Sequence, residues 1–178
     1  HRIDSKDRVA LGSAAPDFFG GFYTQFKYKG FALGAEFSYS KGNMAYNAVR
    51  NQLEGMNTLG NQSIAVLNRW SLDGQVTNMP RVQHNDPYRS TSFSERWLED
   101  ASYLRMKSVT LSYSFDKTVL NFFRSGTLYV SGENLLTATK YLGLDPEFSY
   151  SYGETSQGLD YAKMVQPKSV KFGVNLKF

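Results

Sequence analysis

Two adjacent carboxylates, Glu99 and Asp100, are the first residues in this sequence that could carry acid–base chemistry. A glycosidase needs two carboxyl groups about 5 to 10 Å apart in a cleft. Neighbouring residues of an extended chain point in opposite directions, and neither carboxylate has an evident histidine partner. We therefore interpret this pair, and Trp97 and Arg105 beside it, as structural. An enzyme such as a glycosidase remains an alternative, but the sequence does not identify two carboxylates at the separation that it would need.

Metal and thiol chemistry also lack the residues that they need. The chain has two histidines, His1 and His84, and no cysteine. A zinc site takes about three or four protein ligands at workable spacing. Without cysteine, disulfides, thiol nucleophiles and cysteine-ligated metals are excluded. We predict no cofactor and no metal, and we interpret His84 as a solvated loop residue.

Aromatic residues in the irregular parts of the chain are the remaining candidates for binding. They could stack on sugar rings, but packing within loops or an interfacial aromatic belt is the simpler interpretation of any one of them. The residues concerned are Trp70, Tyr88, Tyr141, Phe148, Tyr150, Tyr152 and Tyr161. Gly132 and Gly173, which fall within strands, indicate close packing rather than binding.

Composition narrows the class of protein. The chain has 178 residues and a mass of 20.1 kDa, with 12 tyrosines, 13 phenylalanines and a mean hydropathy of −0.43. No continuous apolar run approaches the length of a membrane helix. The net charge of +4 is scattered in single residues, so a solvated surface or a polar barrel interior is favoured over nucleic-acid binding.

Alternation with a period of two identifies the elements that must position these residues. In the last ten residues, 169–178, every second residue is apolar, and the chain stops at a phenylalanine. One face of such a strand is wholly apolar and the other is polar. A strand of about 9 to 11 residues that ends on an aromatic residue is typical of a membrane β-barrel.

Four further segments alternate in the same way, which gives five predicted strands in all. Long and short connections alternate between them, with a tight turn at Lys29–Gly30 and a helix within 44–56 of the first long loop. The predicted strands cover 21–29, 31–40, 102–115, 127–134 and 169–178, the long loops 41–101 and 135–168, and the shorter connection 116–126, in which 119–123 packs locally.

This order of elements predicts an all-β chain of antiparallel strands from a transmembrane β-barrel. Small closed barrels need about 8 strands and plugged outer-membrane transporters about 22, so five strands with open edges predict a C-terminal portion of a larger barrel. No signal peptide opens the chain, which suits a fragment. The alternative is a soluble β-sandwich that binds carbohydrate.

Three runs of residues resemble the C-terminal region of SusC/RagA-type TonB-dependent transporters. The run 96–107 resembles that family's W-x-E-D-[GA]-S-Y-L-R-[LM]-K stretch. The run 129–147 resembles its strand followed by N-L-x-T-x-T-x-Y-x-G-x-D-P-E. The run 166–178 resembles the family's ending, in which arginine often replaces Lys168, and Met79-Pro80-Arg81 is a weaker fourth likeness.

The resemblance implies a protein of the outer membrane of a Gram-negative bacterium that imports glycans or peptides. It implies a SusD-like lipoprotein over the barrel mouth, against which loop aromatics would pack, and energy from TonB, ExbB and ExbD through a plug domain. Residues 1–178 would then be one C-terminal fragment of the barrel without the plug and N-terminal regions. The substrate, which the loops, plug and lipoprotein would select, does not follow from the resemblance.

The resemblance also gives the last strand a second role. In outer-membrane proteins generally, the last strand with its terminal aromatic is read by the barrel assembly machinery. The residues that would form this signal, and that would otherwise simply face lipid, are Phe172, Val174, Leu176 and Phe178.

Overall fold

The computed structural model of the chain describes residues 5–83, 85–87, 89–116, 124–148 and 156–178. The chain divides into two compact units that are interleaved in the sequence. The sheet unit comprises Pro16–Gly42, Ala101–Lys140 and Val165–Phe178. The loop unit comprises His1–Ala15, Asn43–Asp100 and Tyr141–Met164.

Within the described residues the chain forms eight strands and one short α-helix. The strands are β1 (Phe18–Tyr28), β2 (Phe31–Lys41), β3 (Met44–Asn47), β4 (Leu98–Asp100), β5 (Tyr103–Asp116), β6 (Ser125–Thr139), β7 (Leu159–Asp160) and β8 (Ser169–Lys177). The helix is α1 (Ala48–Glu54), and single 3-10 turns cover Ser5–Asp7, Ile64–Asn68 and Glu95–Trp97. No helix among these residues is long and apolar enough to cross a membrane.

The sheet unit is one antiparallel sheet with the strand order β1-β2-β5-β6-β8. β1 and β2 are joined by Lys29 and Gly30, whose φ angles of 45° and 85° are the left-handed values of a two-residue hairpin turn. The fold class that the alternation predicted is confirmed by this sheet.

Both long connections are attached to the same end of the sheet. Ser40 near the end of β2 pairs with Tyr103 at the start of β5, and Tyr103 pairs with Thr139 at the end of β6. The turn at Lys29–Gly30 lies at the opposite end, since Tyr28 pairs with Phe31 there. Long and short connections therefore alternate between the two strand ends, as predicted.

Cross-strand pairing aligns the apolar residues of all five strands on one face of the sheet. One row across the sheet consists of Phe26, Leu33, Leu111, Val130 and Phe172, and the next of Tyr28, Phe31, Tyr113, Leu128 and Val174. The opposite face carries rows such as Gln25, Gly34, Thr110, Ser131 and Lys171. The predicted faces agree with the pairing in every strand.

A β-bulge interrupts this alternation near the end where the long connections attach. The register of β5 shifts between Met106 and Ser108 relative to both neighbours, so Lys107 is an extra residue opposite β2. On β6, Asn134 and Leu135 lie opposite this one residue, and Asn134 has a left-handed φ of 52°. A bulge re-aims side chains while the ladder continues.

The bulge explains an error in the predicted bounds of β6. The predicted strand ended at Asn134, whereas the observed strand continues to Thr139. Pairing resumes after the bulge with Leu136 opposite Met106. Strict alternation breaks at Asn134 and Leu135, so the period-two pattern is lost although the strand is not. β1 likewise begins at Phe18, three residues earlier than predicted, and the predicted local packing at 119–123 lies outside the described residues.

Aromatic side chains lie over glycines in the neighbouring strand and fill the space that a side chain would take. A Cβ placed on Gly173 would clash with the side chain of Tyr129, its direct cross-strand partner. Phe115 covers Gly126 in the same way on the apolar face. The prediction that Gly173 marks close packing is confirmed.

The loop unit contains a small three-stranded sheet of order β4-β3-β7 and the helix α1. β3 pairs antiparallel with β4 and parallel with β7. Asn47 caps α1, since its Oδ1 accepts a 2.9 Å hydrogen bond from the backbone N–H of Arg50. The helix predicted within 44–56 is confirmed for Ala48–Glu54, while the short strands at 44–47 and 98–100 escaped prediction because three or four residues show no clear period.

Candidate functional site

The apolar face of the sheet is the largest surface feature of the sheet unit. Many of its large side chains are exposed, from Leu176 at 39% to Phe172 at 80%, and others, such as Tyr113 and Val130, are half-buried. Burial of apolar surface is worth roughly 25 cal/mol per Å², and contiguous exposed patches of this kind mark a membrane or protein contact. A soluble sandwich would bury such a face against a second sheet, so the exposed face contradicts that alternative.

The strands have the lengths that a membrane requires. β1 and β2 contain 11 residues each, β5 14, β6 15 and β8 9, against about 9 to 11 for a tilted strand that spans a bilayer. Aromatic pairs reinforce the face: the rings of Phe22 and Phe37 stack at 4.8 Å, and those of Phe31 and Tyr113 lie 4.6 Å apart.

The predicted assembly residues lie along the apolar side of β8, at one edge of the sheet. Phe172 pairs with Val130, Val174 with Leu128, and Leu176 with Gly126. Phe178 follows the last strand residue, Lys177, and is 83% exposed. The structure thus gathers the first three on one face.

The opposite face carries hydroxyls and charges that bond across strands. Thr110 and Ser131 share a 2.9 Å hydrogen bond, and Ser114 and Thr127 lie 3.1 Å apart. Glu133 accepts hydrogen bonds from Ser169 at 2.9 Å and from Lys171 at 2.5 Å. A hydroxyl-lined face of this kind suits a wet barrel interior.

In the loop unit, Arg50 joins two carboxylates that are far apart in sequence. Its guanidinium bonds Glu54 at 2.9 Å and Glu99 at 2.5 Å. The other oxygen of Glu99 accepts the backbone N–H of Leu142 at 2.8 Å, which ties the two long connections together within this unit. Hydrogen bonding to Glu54 raises the pKa of Arg50 and, with that to Glu99, outweighs the opposing effect of burial. This ion network is structural.

Trp97 is the centre of the loop unit. Its side chain is fully buried, with the guanidinium of Arg96 at 4.7 Å and that of Arg50 at 5.8 Å from its ring. Both distances are within the reach of a cation–π interaction. Arg96 also donates to the sulfur of Met79 at 3.0 Å. The indole N–H of Trp97 is buried without an acceptor among the described residues.

A second buried polar pair lies at Tyr141. Its hydroxyl donates a 2.6 Å hydrogen bond to Asp160, whose other oxygen accepts the backbone N–H of Ala162 at 2.9 Å. Burial and the neighbouring Asp160 carboxylate raise the pKa of Tyr141. The ring of Phe148 stacks on Tyr141 at 5.4 Å. These contacts make Tyr141 and Phe148 packing residues.

The four residues that the sequence placed together before the long strand belong to both units. Trp97 and Glu99 belong to the loop unit, and the backbone of Asp100 pairs with Met44. Arg105 belongs to the sheet unit, where it donates to Thr137 at 3.1 Å. Glu99 is engaged by Arg50 and Leu142, which is a structural role rather than the pose of a general acid.

Some of the remaining candidates lie among the described residues and others lie outside them. The guanidinium of Arg81 lies 5.7 Å from the centre of the Trp70 ring, and Tyr161 is exposed. Among the residues that the structure describes, no three His, Asp or Glu side chains converge as a metal site would require. His1, His84, Tyr88, Tyr150 and Tyr152 lie outside the described residues.

Comparison with known proteins points to transporters. No family model matches the chain. A protein of Formosa agariphila named TonB-dependent receptor P3 is 32% identical over 99% of this chain and 18% of its own length. TonB-dependent receptor SusC of Bacteroides thetaiotaomicron is 25% identical over 99% of this chain and 16% of its own length.

Solved structures agree with these relatives. The RagAB peptide importer in its closed-closed state matches with a TM-score of 0.77 and 28% identity, over 95% of this chain and 18% of that chain. Its open-open state matches with a TM-score of 0.74 and 29% identity, over 94% of this chain and 18% of that chain. The resemblance to SusC/RagA-type TonB-dependent transporters is confirmed. The chain spans about a fifth of the length of the TonB-dependent receptors that it matches.

The ion network around Arg50 could not be predicted from the sequence. Arg50 and Glu99 are 49 positions apart, and Asn47, which donates to Glu99 at 3.3 Å, is 52 positions from it. No local spacing connects them. The one available signal was Glu99 itself, a carboxylate two residues after Trp97 in a stretch that resembles the family's motif.

Proposed function

We propose that this chain is part of the wall of a TonB-dependent transporter in the outer membrane. The observation that carries the proposal is the two-faced sheet: five strands long enough to span a bilayer, apolar and exposed on one side, and lined by hydroxyls and charges on the other. Only lipid accepts the first face without loss, and only water or a polar cargo path accepts the second.

The five strands form the C-terminal part of a larger barrel. β1 and β8 are the edges of the sheet, and each has one unpaired side that a further strand of the barrel would pair with. The plug, the segment that contacts TonB and the remaining strands belong to other regions of the protein. TonB, ExbB and ExbD therefore act through residues outside this chain.

The transporter imports glycans or peptides together with a SusD-like lipoprotein. The RagAB structures support import of peptides, since RagAB is described as a peptide importer. Aliphatic side chains in the first long connection support a partner as well, because they are exposed beyond what a free loop in water favours. They are Leu59, Ile64, Leu67, Leu72 and Val76.

The last strand serves assembly as well as the lipid boundary. Phe172, Val174, Leu176 and Phe178 present a row of exposed apolar side chains at the edge strand β8. The barrel assembly machinery reads this strand through its unpaired edge and its apolar residues. Replacement of Phe178 by Ser should lower the yield of folded protein in the outer membrane without changing the transport rate per folded molecule.

The test is to locate the native polypeptide. Source cells are fractionated and blotted with an antibody against residues 161–178. The proposal expects a band several times larger than 20.1 kDa that requires detergent for extraction from the outer membrane and that co-purifies with a lipoprotein. A soluble band near that mass would overturn it.

A further inference from the structure

A cleft in the loop unit is not accounted for by the proposed barrel. It has a volume of about 270 Å³ and is lined by Gly55, Pro80, Arg81, Gln83, Asp86 and Ser90. It includes two residues of the Met79-Pro80-Arg81 run, which is only weakly similar to the family's sequence. All six residues belong to the same compact unit.

The segment that carries Arg81 is held rigidly. Met79 is buried, its carbonyl accepts the N–H of Trp70 at 3.1 Å, and its N–H donates to Thr77 at 3.1 Å. The side-chain oxygen of Gln75 accepts a 2.8 Å hydrogen bond from the backbone N–H of Ser71, which stabilises the turn before this segment. Pro80 then fixes φ just before Arg81. The arginine is thus presented from a preorganised base, which lowers the entropic cost of binding.

Asp86, the one acid in the cleft lining, has its lone pairs occupied. Its Oδ1 accepts the N–H and the hydroxyl of Ser90, both at 2.7 Å. Its Oδ2 accepts the N–H of Thr91 at 2.9 Å and its hydroxyl at 2.6 Å. A carboxylate offers about four acceptor positions, so Asp86 braces the cleft wall and has no acceptor left for a ligand.

Arg81, by contrast, keeps its donors. It is exposed, its guanidinium lies over the ring of Trp70, and it takes part in none of the ion pairs among the described residues. Stacking on an indole ring leaves the edge N–H groups of a guanidinium free for bonding in the ring plane. Gln83 adds an amide to the same cleft.

We propose that this cleft binds a carboxylate group of a ligand, with Arg81 as its bidentate partner and Gln83 as a second donor. A guanidinium fork matches the two oxygens of a carboxylate in geometry and charge. The carboxylate belongs either to a peptide or to an acidic sugar. The inference rests on the proposed function only in taking that ligand to be cargo.

The experiment uses the full-length transporter purified in detergent and calorimetric titration with two matched pairs of probes. One pair is a short glutamate-rich peptide and its glutamine, C-terminally amidated twin. The other is an oligogalacturonide and its methyl ester. Binding of the acid but not of its neutral twin is expected in at least one pair, and the pair that binds identifies the source of the carboxylate.

Variants separate the cleft from general charge effects. Arg81→Gln should weaken binding of the acidic probe about 10-fold, since it removes a charge-assisted pair. Arg81→Lys, which keeps the charge without the fork, should fall between. Arg8→Gln removes the same charge from an exposed position outside the cleft and should bind as the parent does.

Equal affinities for Arg81→Gln and Arg8→Gln, or no measurable binding of either acid, would overturn the inference. TonB-dependent uptake of the bound probe is measured separately in cells. Binding at the cleft without any TonB-dependent uptake would count against the proposed function alone, and uptake that Arg81→Gln leaves unchanged would count against the cleft alone.

Discussion

In the sheet unit a whole face of apolar side chains lies on the surface, whereas the loop unit fully buries Trp97, one of its two tryptophans. The sheet is specified by the register of its strands and leaves Phe172 at 80% exposure. The loop unit is specified by buried polar contacts, such as Arg50 between Glu54 and Glu99. The two units therefore remove apolar surface from water in different ways. The sheet needs a surrounding apolar phase, whereas the loop unit buries Trp97 in its own interior.

The largest expected effect is in the loop unit. Replacement of Trp97 by Ala removes its central side chain, which should cost about 3 to 5 kcal/mol and open the loop unit while the strands still assemble. Hydrogen exchange should rise across 43–100, and a folded barrel band should persist in unheated electrophoresis. Trp70→Ala, at a half-exposed position, is the matched control. Equal hydrogen exchange in the two variants would contradict the role of Trp97 in holding the loop unit together.

The next effect breaks the sheet and spares the loops. Arg in place of Val174 puts a charge on the lipid-facing side, at a cost of about 2 to 4 kcal/mol at mid-membrane. Arg in place of Asn175, one position along and on the polar face, should cost far less. The measurement is the amount of folded protein in the outer membrane. Similar losses from both variants would contradict the assigned faces.

A hydroxyl deletion compares the two units directly. Tyr141→Phe removes the donor that Asp160 accepts in the buried interior of the loop unit, which should cost about 1 to 3 kcal/mol. Tyr28→Phe, on the exposed apolar face of the sheet, should stay within about 0.5 kcal/mol. Denaturant or thermal unfolding of the purified protein measures both. A larger loss from Tyr28→Phe would reverse the contrast between the units.

The smallest effect is a dependence on pH in the loop unit. Hydrogen bonds from Thr91 and Ser90 outweigh partial burial and lower the pKa of Asp86 from 3.8 to about 2. A lowered folded-state pKa means that this stabilisation is full above pH 4 and is lost as the pH falls toward 2. Solvent limits it to less than about 1 kcal/mol.

Asp86→Asn tests this pH dependence by proteolysis of the loop unit. The variant should be cut faster than the parent at pH 5, and the difference should shrink toward pH 2.5. A difference that grows as the pH falls would show that the sign is wrong.

The sheet could be predicted from sequence because its rule is local. Every second residue of a strand faces the same way, so the alternation of apolar and polar residues in 169–178 was enough to predict both faces of the last strand. The bulge at Lys107 has no such signature, and it shortened the prediction of β6 at Asn134.

The loop unit could not be predicted in this way, because its contacts join distant positions. Arg50 meets Glu99 across 49 residues, and Tyr141 meets Asp160 across 19. Nothing in the spacing of these residues announces the pairing. The family resemblance marked Trp97 and Glu99 as members of one motif, but the structure was needed to show that they contribute packing and an ion pair.

Because Lys107 is an extra residue opposite β2, β5 should tolerate a one-residue change in length at this position. Removing Lys107 would leave Met106 next to Ser108, so that apolar and polar residues alternate along β5 and it pairs with β2 in regular register, while Asn134 and Leu135 of β6 would face no residue of β5. Removing any single residue between Val109 and Phe115 would instead turn part of the strand inside out. Among descendants of this sequence, a one-residue deletion in the core of β5 should survive at the bulge and be eliminated elsewhere.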